Sequence, residues 1–387
     1  MIALSSRNNR LPEMPLREPR ESFVARVTRN IQLPKPLRNT HVLVSPTLVG
    51  ITPTQWQLVL LSRTSEPELN IPNTWHLAPE LSYLDEGDVI KVVPERAHIR
   101  VLYRRQANAP FFLVTERCNS YCLMCSQPPR DVEDRYLVTD MLAALPLLDP
   151  APRELGITGG EPTLLGDDLI RVLQACKQHL PRTGLHMLSN GRRFQEVAFA
   201  KQLAQVAHPD LMVGIPLYAD YSQLHDFIVQ ADGAFDETVR GILNLKQHRQ
   251  KVEIRVVIHR QNAQRLPRIA EFLARNLLFV DQVALMGLEL AGFAKTNIDA
   301  LWIDPNEYRS DLTQAVQTLA WYGMKVSIYN HPLCLLEDKA HPYAVRSISD
   351  WKNEYMPECT SCARRQECGG FFSSSKLRYS KRLTPFP

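Results

Sequence analysis

No stretch of the 387 residues carries an apolar run near the ~18 that a membrane-spanning helix needs. The N-terminus lacks the apolar region of a secretory signal. Charge of one sign is scarce as well. The formal net charge is +4, without the concentrated basic face that nucleic-acid binding demands. These absences argue against a membrane protein and against a nucleic-acid partner. They lead us to expect a cytoplasmic chain, in a compartment where thiols stay reduced. Its eight cysteines then read as metal ligands sooner than as disulfides. The length allows two or three domains, and 44% apolar content fits a globular protein.

Three of the cysteines share one short loop, Cys118-Asn119-Ser120-Tyr121-Cys122-Leu123-Met124-Cys125. The C-x3-C-x2-C spacing directly follows a strand-like run, Phe111-Phe112-Leu113-Val114-Thr115. Three thiolates on one loop can hold three corners of a cubane iron–sulfur cluster, which ordinarily takes four cysteines. One iron then stays open to another ligand. Zinc is the simpler reading of clustered cysteines, but a zinc site wants a fourth Cys or His nearby, and the loop has none. The next motif, Gly159-Gly160-Glu161-Pro162, follows the strand-like Leu155-Gly156-Ile157-Thr158. Glycines there would let the backbone approach a ligand without a Cβ in the way.

With both motifs present in this order, the sequence resembles the radical SAM superfamily. The resemblance implies a [4Fe–4S] cluster on Cys118, Cys122 and Cys125, whose open iron chelates S-adenosylmethionine. It implies that Gly159, Gly160, Glu161 and Pro162 line the methionine amino group, and that Ser189 and Asn190 lie near the ribose and carboxylate. Many family members carry an aromatic residue before the third cysteine, near the adenine. Met124 stands there in this chain, and a thioether can also pack on a purine face.

Taken in order, residues 1–38 are rich in Pro and Arg and read as a flexible arm. Residues 39–108 read as a small β-rich domain, with strands near 41–44, 57–61, 88–93 and 99–103. From 109 to about 300, strands at 111–115, 154–158, 185–189, 211–217, 253–258 and 282–287 alternate with helices near 137–147, 165–180, 192–206, 235–250 and 262–276. Such alternation builds a parallel sheet. Six units, with motifs at strand ends, suit a partial (β/α)6 TIM-like barrel whose chemistry sits at the C-terminal strand ends. Strand ends four to six supply Tyr218, Asp220, Arg255, His259 and Glu289 as cavity candidates. Cys176 falls on the apolar stripe of a helix with Leu169, Leu173 and Leu180, the pattern of a buried structural thiol.

The closing part, 301–387, starts with a helix signal, Asp304-Pro305 with Glu307 at the third position. It holds the second cysteine group, Cys334, Cys359, Cys362 and Cys368. Four thiolates suit a closed zinc site or a second cluster, and spacing alone does not separate the two. The C-x2-C-x5-C run resembles part of the SPASM and twitch extensions of radical SAM enzymes, which implies an auxiliary [4Fe–4S] cluster. With no cysteine after Cys368, one such cluster is the most the chain can fully ligate.

The resemblance implies one-electron cleavage of S-adenosylmethionine to a 5′-deoxyadenosyl radical that takes a hydrogen atom from the substrate. Cys-Asn-Ser-Tyr-Cys-Leu-Met-Cys-Ser-Gln-Pro-Pro, Ile-Thr-Gly-Gly-Glu-Pro-Thr-Leu-Leu and Cys-Gly-Gly-Phe-Phe together look like the HxsC-type maturases of the His-Xaa-Ser system. That likeness implies a ribosomally made precursor peptide as substrate, a paired radical SAM maturase as partner, and an electron donor such as ferredoxin or flavodoxin. Two alternatives stand beside it: a small-molecule radical SAM enzyme of cofactor or modified-nucleoside biosynthesis, and a zinc-stabilised scaffold without turnover.

Overall fold

A computed structural model describes residues 5–7, 21–62, 71–148, 152–347 and 352–387. The chain divides into two compact units. The first takes the described residues of Met1–Phe112, Asp134–Leu155 and Gln174–Thr183, and the second takes Leu113–Glu133, Gly156–Leu173 and Gly184–Pro387.

The first unit is built on a seven-stranded mixed sheet. Its strands are β1 (Ser5–Arg7), β2 (Phe23–Thr28), β3 (His41–Ser45), β4 (Leu58–Leu61), β5 (Thr74–His76), β6 (Val89–Val93) and β7 (His98–Tyr103), in the order β1-β7-β6-β2-β3-β4-β5. β2 to β5 pair in parallel, while β1, β7, β6 and β2 pair antiparallel. All four β4 residues are buried, as expected of a strand covered on both faces. One core gathers Val27, Val42, Leu60, Ile90 and Ile99; a second gathers Leu43, Trp56, Val59 and Leu61. Lys91 and Arg100 face each other across β6 and β7, a like-charge pair that would repel. Asp140 resolves it. It lies on helix α1 (Tyr136–Ala144), is 4% exposed, accepts from Lys91 Nζ at 2.7 Å and pairs with Arg100.

The arm expected over 1–38 contains a strand at the centre of this sheet, β2. Its Ala25 and Val27 are fully buried. Burial of alternate side chains outweighs the Arg and Pro composition that suggested a solvated segment. Arg29, read as an arm residue, pairs with Asp85 at 2.7 Å. Arg10, Arg17 and Arg20 lie outside the described residues.

The second sheet has eight strands: β8 (Phe111–Leu113), β9 (Glu154–Thr158), β10 (Gly184–Leu188), β11 (Leu211–Pro216), β12 (Lys251–Val257), β13 (Gln282–Met286), β14 (Val326–Tyr329) and β15 (Ala344–Val345). They lie side by side in chain order, and every pairing from β10 to β15 is parallel. The intervening helices are α2 (Asp167–His179), α3 (Val197–Gln205), α4 (Ser222–Val229), α5 (Ala234–Gln247), α6 (Leu266–Asn276), α7 (Gly292–Thr296), α8 (Ile298–Leu301) and α9 (Arg309–Trp321). The fold is thus α/β around a parallel sheet. Two strands beyond the six expected extend it, because β14 hydrogen-bonds to β13 and β15 to β14. Asp304 and Glu307 do form a capping box, over a short turn that precedes α9. No helix of the described residues is long and apolar enough to cross a membrane.

Candidate functional site

The cysteine loop begins five residues after β8, and backbone bonds fasten both its halves. The Tyr121 and Leu123 amides donate to the carbonyls of Val229 and Ile228, at the end of α4 (3.1 and 2.9 Å). The Cys125 carbonyl accepts from the Phe293 amide (2.8 Å) and that of Leu123 from Asn297 Nδ2 (2.9 Å). Gly292 admits this approach: a Cβ there would stand 2.5 Å from the Cys125 oxygen. Cys118, Cys122 and Cys125 are each half-buried. Burial, then the neighbouring thiols, push the Cys122 thiol up to about 12; burial and Glu161 push Cys118 up to about 11. Thiols that raise one another in this way are neighbours, and binding iron would displace their protons. The donor set therefore fits three corners of a cluster.

The Gly-Gly-Glu-Pro turn is bonded to the segment that leads into this loop. Gly160 N donates to Thr115 O (2.9 Å) and Glu161 N to Arg117 O (2.8 Å). A Cβ on Gly160 would lie 2.2 Å from the Arg117 oxygen, and one on Gly159 would lie 2.7 Å from that of Thr115. The expectation was that these glycines clear space for a ligand. In the structure they clear space for the chain itself as well, letting two strand ends meet.

Glu161 joins a third strand end to the other two. It is fully buried. Its Oε1 accepts from Thr163 N (2.9 Å), Thr163 Oγ1 (2.7 Å) and Ser189 Oγ (2.8 Å), and its Oε2 accepts from Asn190 N (2.6 Å). Burial raises the carboxyl above its ordinary range, with these donors pulling the other way. Asn190 Nδ2 in turn donates to Asn119 Oδ1 in the loop (2.6 Å). The residues singled out by motif thus form one hydrogen-bonded set: Ser189, Asn190, the turn and the loop. Pro162 follows the turn and is buried. Met124 is 6% exposed, in an apolar cluster with Tyr218, Ile228 and Val229.

The five cavity candidates divide. Tyr218 is buried and stacked on His225 (5.9 Å between centroids), and burial followed by the charges of Cys122 and Cys125 raises its hydroxyl. Arg255 acts on Tyr218 too, and is itself paired with Glu253 at 2.7 Å. Glu289 is raised by burial and partly restored by Lys352, while Lys352 is lowered by burial and feels both Glu289 and Arg255. Arg255 thus acts on Tyr218 and on Lys352, and Lys352, which no motif marks, on Glu289. Asp220 is bound by Arg265 through both oxygens (2.9 and 2.7 Å). His259 is fully buried and pushed down to about 3 by burial. Its backbone amide donates to Asn262 Oδ1 at 2.9 Å.

Cys334, Cys359, Cys362 and Cys368 line one recess of about 350 Å³, with Tyr355, Arg365 and Phe386. Cys368 Sγ accepts from the Leu333 and Gly370 amides (3.3 and 3.4 Å). Burial raises Cys334 and Cys359, and the charge of Cys368 adds to both. Cys176 has no exposed surface, as its apolar stripe predicts. Among the described residues, no three His, Cys, Asp or Glu side chains converge as a single bound ion requires. A cubane distributes its ligands over separate irons.

Sequence reasoning missed α4, Lys352 and the pair Arg192–Glu237 (2.5 Å). For Arg192 the one signal was its position, directly after the Ser189-Asn190-Gly191 turn.

Residues 112–273 match the family described as the radical SAM superfamily. Fe-coproporphyrin III synthase of Methanosarcina barkeri (strain Fusaro / DSM 804) is 28% identical over 164 residues, which are 41% of this chain and 39% of that protein. The chain thus spans well under half the length of this curated relative. Among solved structures, native anSMEcpe with bound AdoMet and Cp18Cys peptide aligns with a TM-score of 0.51 at 14% identity, covering 70% of this chain and 90% of that one. Streptococcus suis SuiB bound to S-adenosylmethionine aligns at 0.48 and 15%, covering 66% and 56%. The segment holding both motifs thus lies within the match to the radical SAM superfamily, a family that implies a [4Fe–4S] cluster and S-adenosylmethionine.

Proposed function

We propose that this chain is a radical SAM enzyme that modifies a ribosomally made peptide of the His-Xaa-Ser type. The observation that carries the radical SAM part is the joining of three strand ends. The cysteine loop, the Gly-Gly-Glu-Pro turn and Ser189-Asn190 are tied together through Thr115, Arg117 and Glu161. Cys118, Cys122 and Cys125 would hold the cluster. Gly159 to Pro162, Ser189, Asn190 and Met124 would form the wall beside its open iron. When bound, the cluster and S-adenosylmethionine supply one-electron cleavage and hydrogen-atom abstraction. The protein's own part is to fix the loop, to exclude water with buried Met124, Tyr218 and Ile228, and to hold the substrate near Tyr218, Arg255 and Glu289. Cys334, Cys359, Cys362 and Cys368 would hold an auxiliary [4Fe–4S] cluster in their shared recess. A ferredoxin or flavodoxin would deliver the electron, and a paired maturase would share the precursor.

The peptide part is supported by the four-cysteine recess and by likeness in fold to anSMEcpe, solved with AdoMet and a peptide. A second reading, a small-molecule substrate, is favoured by the Methanosarcina barkeri relative, named for a coproporphyrin product.

The test is anaerobic purification with iron and sulfide analysis, followed by reduction with dithionite in the presence of S-adenosylmethionine. The expected result is about eight irons per chain and formation of 5′-deoxyadenosine. Loss of about four irons, and of all cleavage, is expected when Cys118, Cys122 and Cys125 become Ala. Absence of iron after reconstitution would overturn the radical reading. About four irons falling to none would leave the C-terminal group to zinc. Deuterium passing from a labelled porphyrinogen, and none from a His-Xaa-Ser peptide, would replace the peptide reading by the second.

A further inference from the structure

We infer that Arg192, aligned by Glu237, is a positioning residue for the cysteine loop. It shapes the three-residue spacer between Cys118 and Cys122 before any metal arrives. Arg192 lies just past the end of β10, in the short turn leading to α3. Its Nη1 donates to Asn119 O (2.6 Å) and to Ser120 Oγ (3.3 Å). Its Nε is held by Glu237 Oε2 of α5 at 2.5 Å. The guanidinium is planar, so fixing Nε also fixes the direction of Nη1. The side chains are only 15% and 28% exposed, which limits screening by solvent. Asn190 Nδ2 takes Asn119 Oδ1 from the same turn, so both the carbonyl and the amide of Asn119 are held from the end of β10. The following residues, Tyr121 and Leu123, are held by α4 instead. The spacer therefore bends between two anchors, and Arg192 is the one that carries charge. Lysine has the charge and three donors, but not the planar fork through which a bond at Nε fixes the direction of Nη1.

The inference rests on the reading of Cys118, Cys122 and Cys125 as ligands, yet its first test needs no metal. Metal-free protein is treated with iodoacetamide, and alkylation of each cysteine is followed by mass spectrometry. Arg192→Met is expected to speed alkylation of Cys118 about tenfold, the equivalent of one hydrogen bond involving a charged group, and that of Cys122 by less, because the Arg192 charge lowers the Cys122 thiol and its loss leaves less of the reactive thiolate. Cys359 and Cys362 should not change. Glu237→Gln should give a smaller rise, Arg192→Lys an intermediate one, and the double variant Arg192→Met/Glu237→Gln no more than Arg192→Met alone, because the two residues act as one device. In reconstituted protein, release of iron to EDTA should follow the same order. Unchanged alkylation in all variants, a uniform rise across all cysteines, or additive effects in the double variant would each overturn the inference. Protein that binds no iron but shows the expected alkylation pattern would refute the ligand reading and leave the positioning role standing.

Discussion

Glu161 offers the sharpest test of how the site is held. Replacing it by Gln converts one carboxylate oxygen into an NH2 group. If the NH2 took the place of Oε1 it would face the Thr163 amide, another donor, and disturb three bonds. In the place of Oε2 it faces only Asn190 N, so the new NH2 would settle there and leave that backbone amide without an acceptor. A part-buried amide left so costs about 1–3 kcal/mol. The assay is hydrogen exchange at the Asn190 amide in the wild type and in Glu161→Gln, corrected for the intrinsic pH dependence of exchange. A drop in protection of roughly tenfold to a hundredfold is expected, at about 1.4 kcal/mol per factor of ten. The effect has a sign in pH. Burial raises the Glu161 carboxyl above 4.5 in the folded protein, so the folded state binds more protons than the unfolded one in the window just above that value. Wild-type stability is then lost as pH rises through the window, whereas Gln does not titrate. The cost of Gln should therefore shrink as pH rises from below 4.5 toward neutrality. A cost that grows with pH would show that the four donors outweigh burial, and would refute the reasoning.

Gly160→Ala places a Cβ 2.2 Å from a backbone oxygen that no rotamer can move, and should cost about 3 kcal/mol or more and most of the iron held by the opening loop, measured by reconstitution. In the first unit, Asp140→Ala strands Lys91 and Arg100, which are 19% and 25% exposed. A loss of about 2–4 kcal/mol is expected in the denaturant midpoint, partly recovered by adding Lys91→Met. Cys176→Ala removes a buried apolar-lined thiol and should cost about 1 kcal/mol, with iron and sulfide content unchanged; a fall in iron would make it a ligand.

What was legible in the sequence is what short-range pattern can carry. The alternation of strands and helices from residue 111 pointed to the parallel sheet, and β9 came out at 154–158 as expected. The helix signal at Asp304, Pro305 and Glu307 is followed by α9, on which Leu312, Val316 and Leu319 are buried. Both cysteine groups were visible as spacings, although only folding shows that Cys334 joins three cysteines some 25 to 34 residues further on in a single recess. β2 was hidden because flanking Pro and Arg dominated its neighbourhood, while the burial of Ala25 and Val27 depends on partners at 41–43 and 89–92. α4 was missed because its short amphipathic stretch follows Pro216 and reads as loop. The part played by Gly159 and Gly160 was read from chemistry near a ligand; their close contact with Thr115 and Arg117 could not be read, because sequence says nothing of distances between segments 43 and 44 residues apart.

Lys352 shows why the closing segment cannot be treated as a separate appendage of the site. Burial lowers its ammonium and raises the carboxyl of Glu289, while each of the two charges offsets part of the other's shift. Arg255 adds a cation to Lys352's surroundings but is itself matched by Glu253. Around Lys352 both signs are therefore present, and Lys352 and Glu289 are both partly desolvated. Such a setting favours a substrate that brings hydrogen-bonding groups without net charge over one that brings an uncompensated phosphate or carboxylate. An internal stretch of polypeptide meets that condition; a porphyrin, with its several carboxylates, would need cations beyond Arg255 and Lys352.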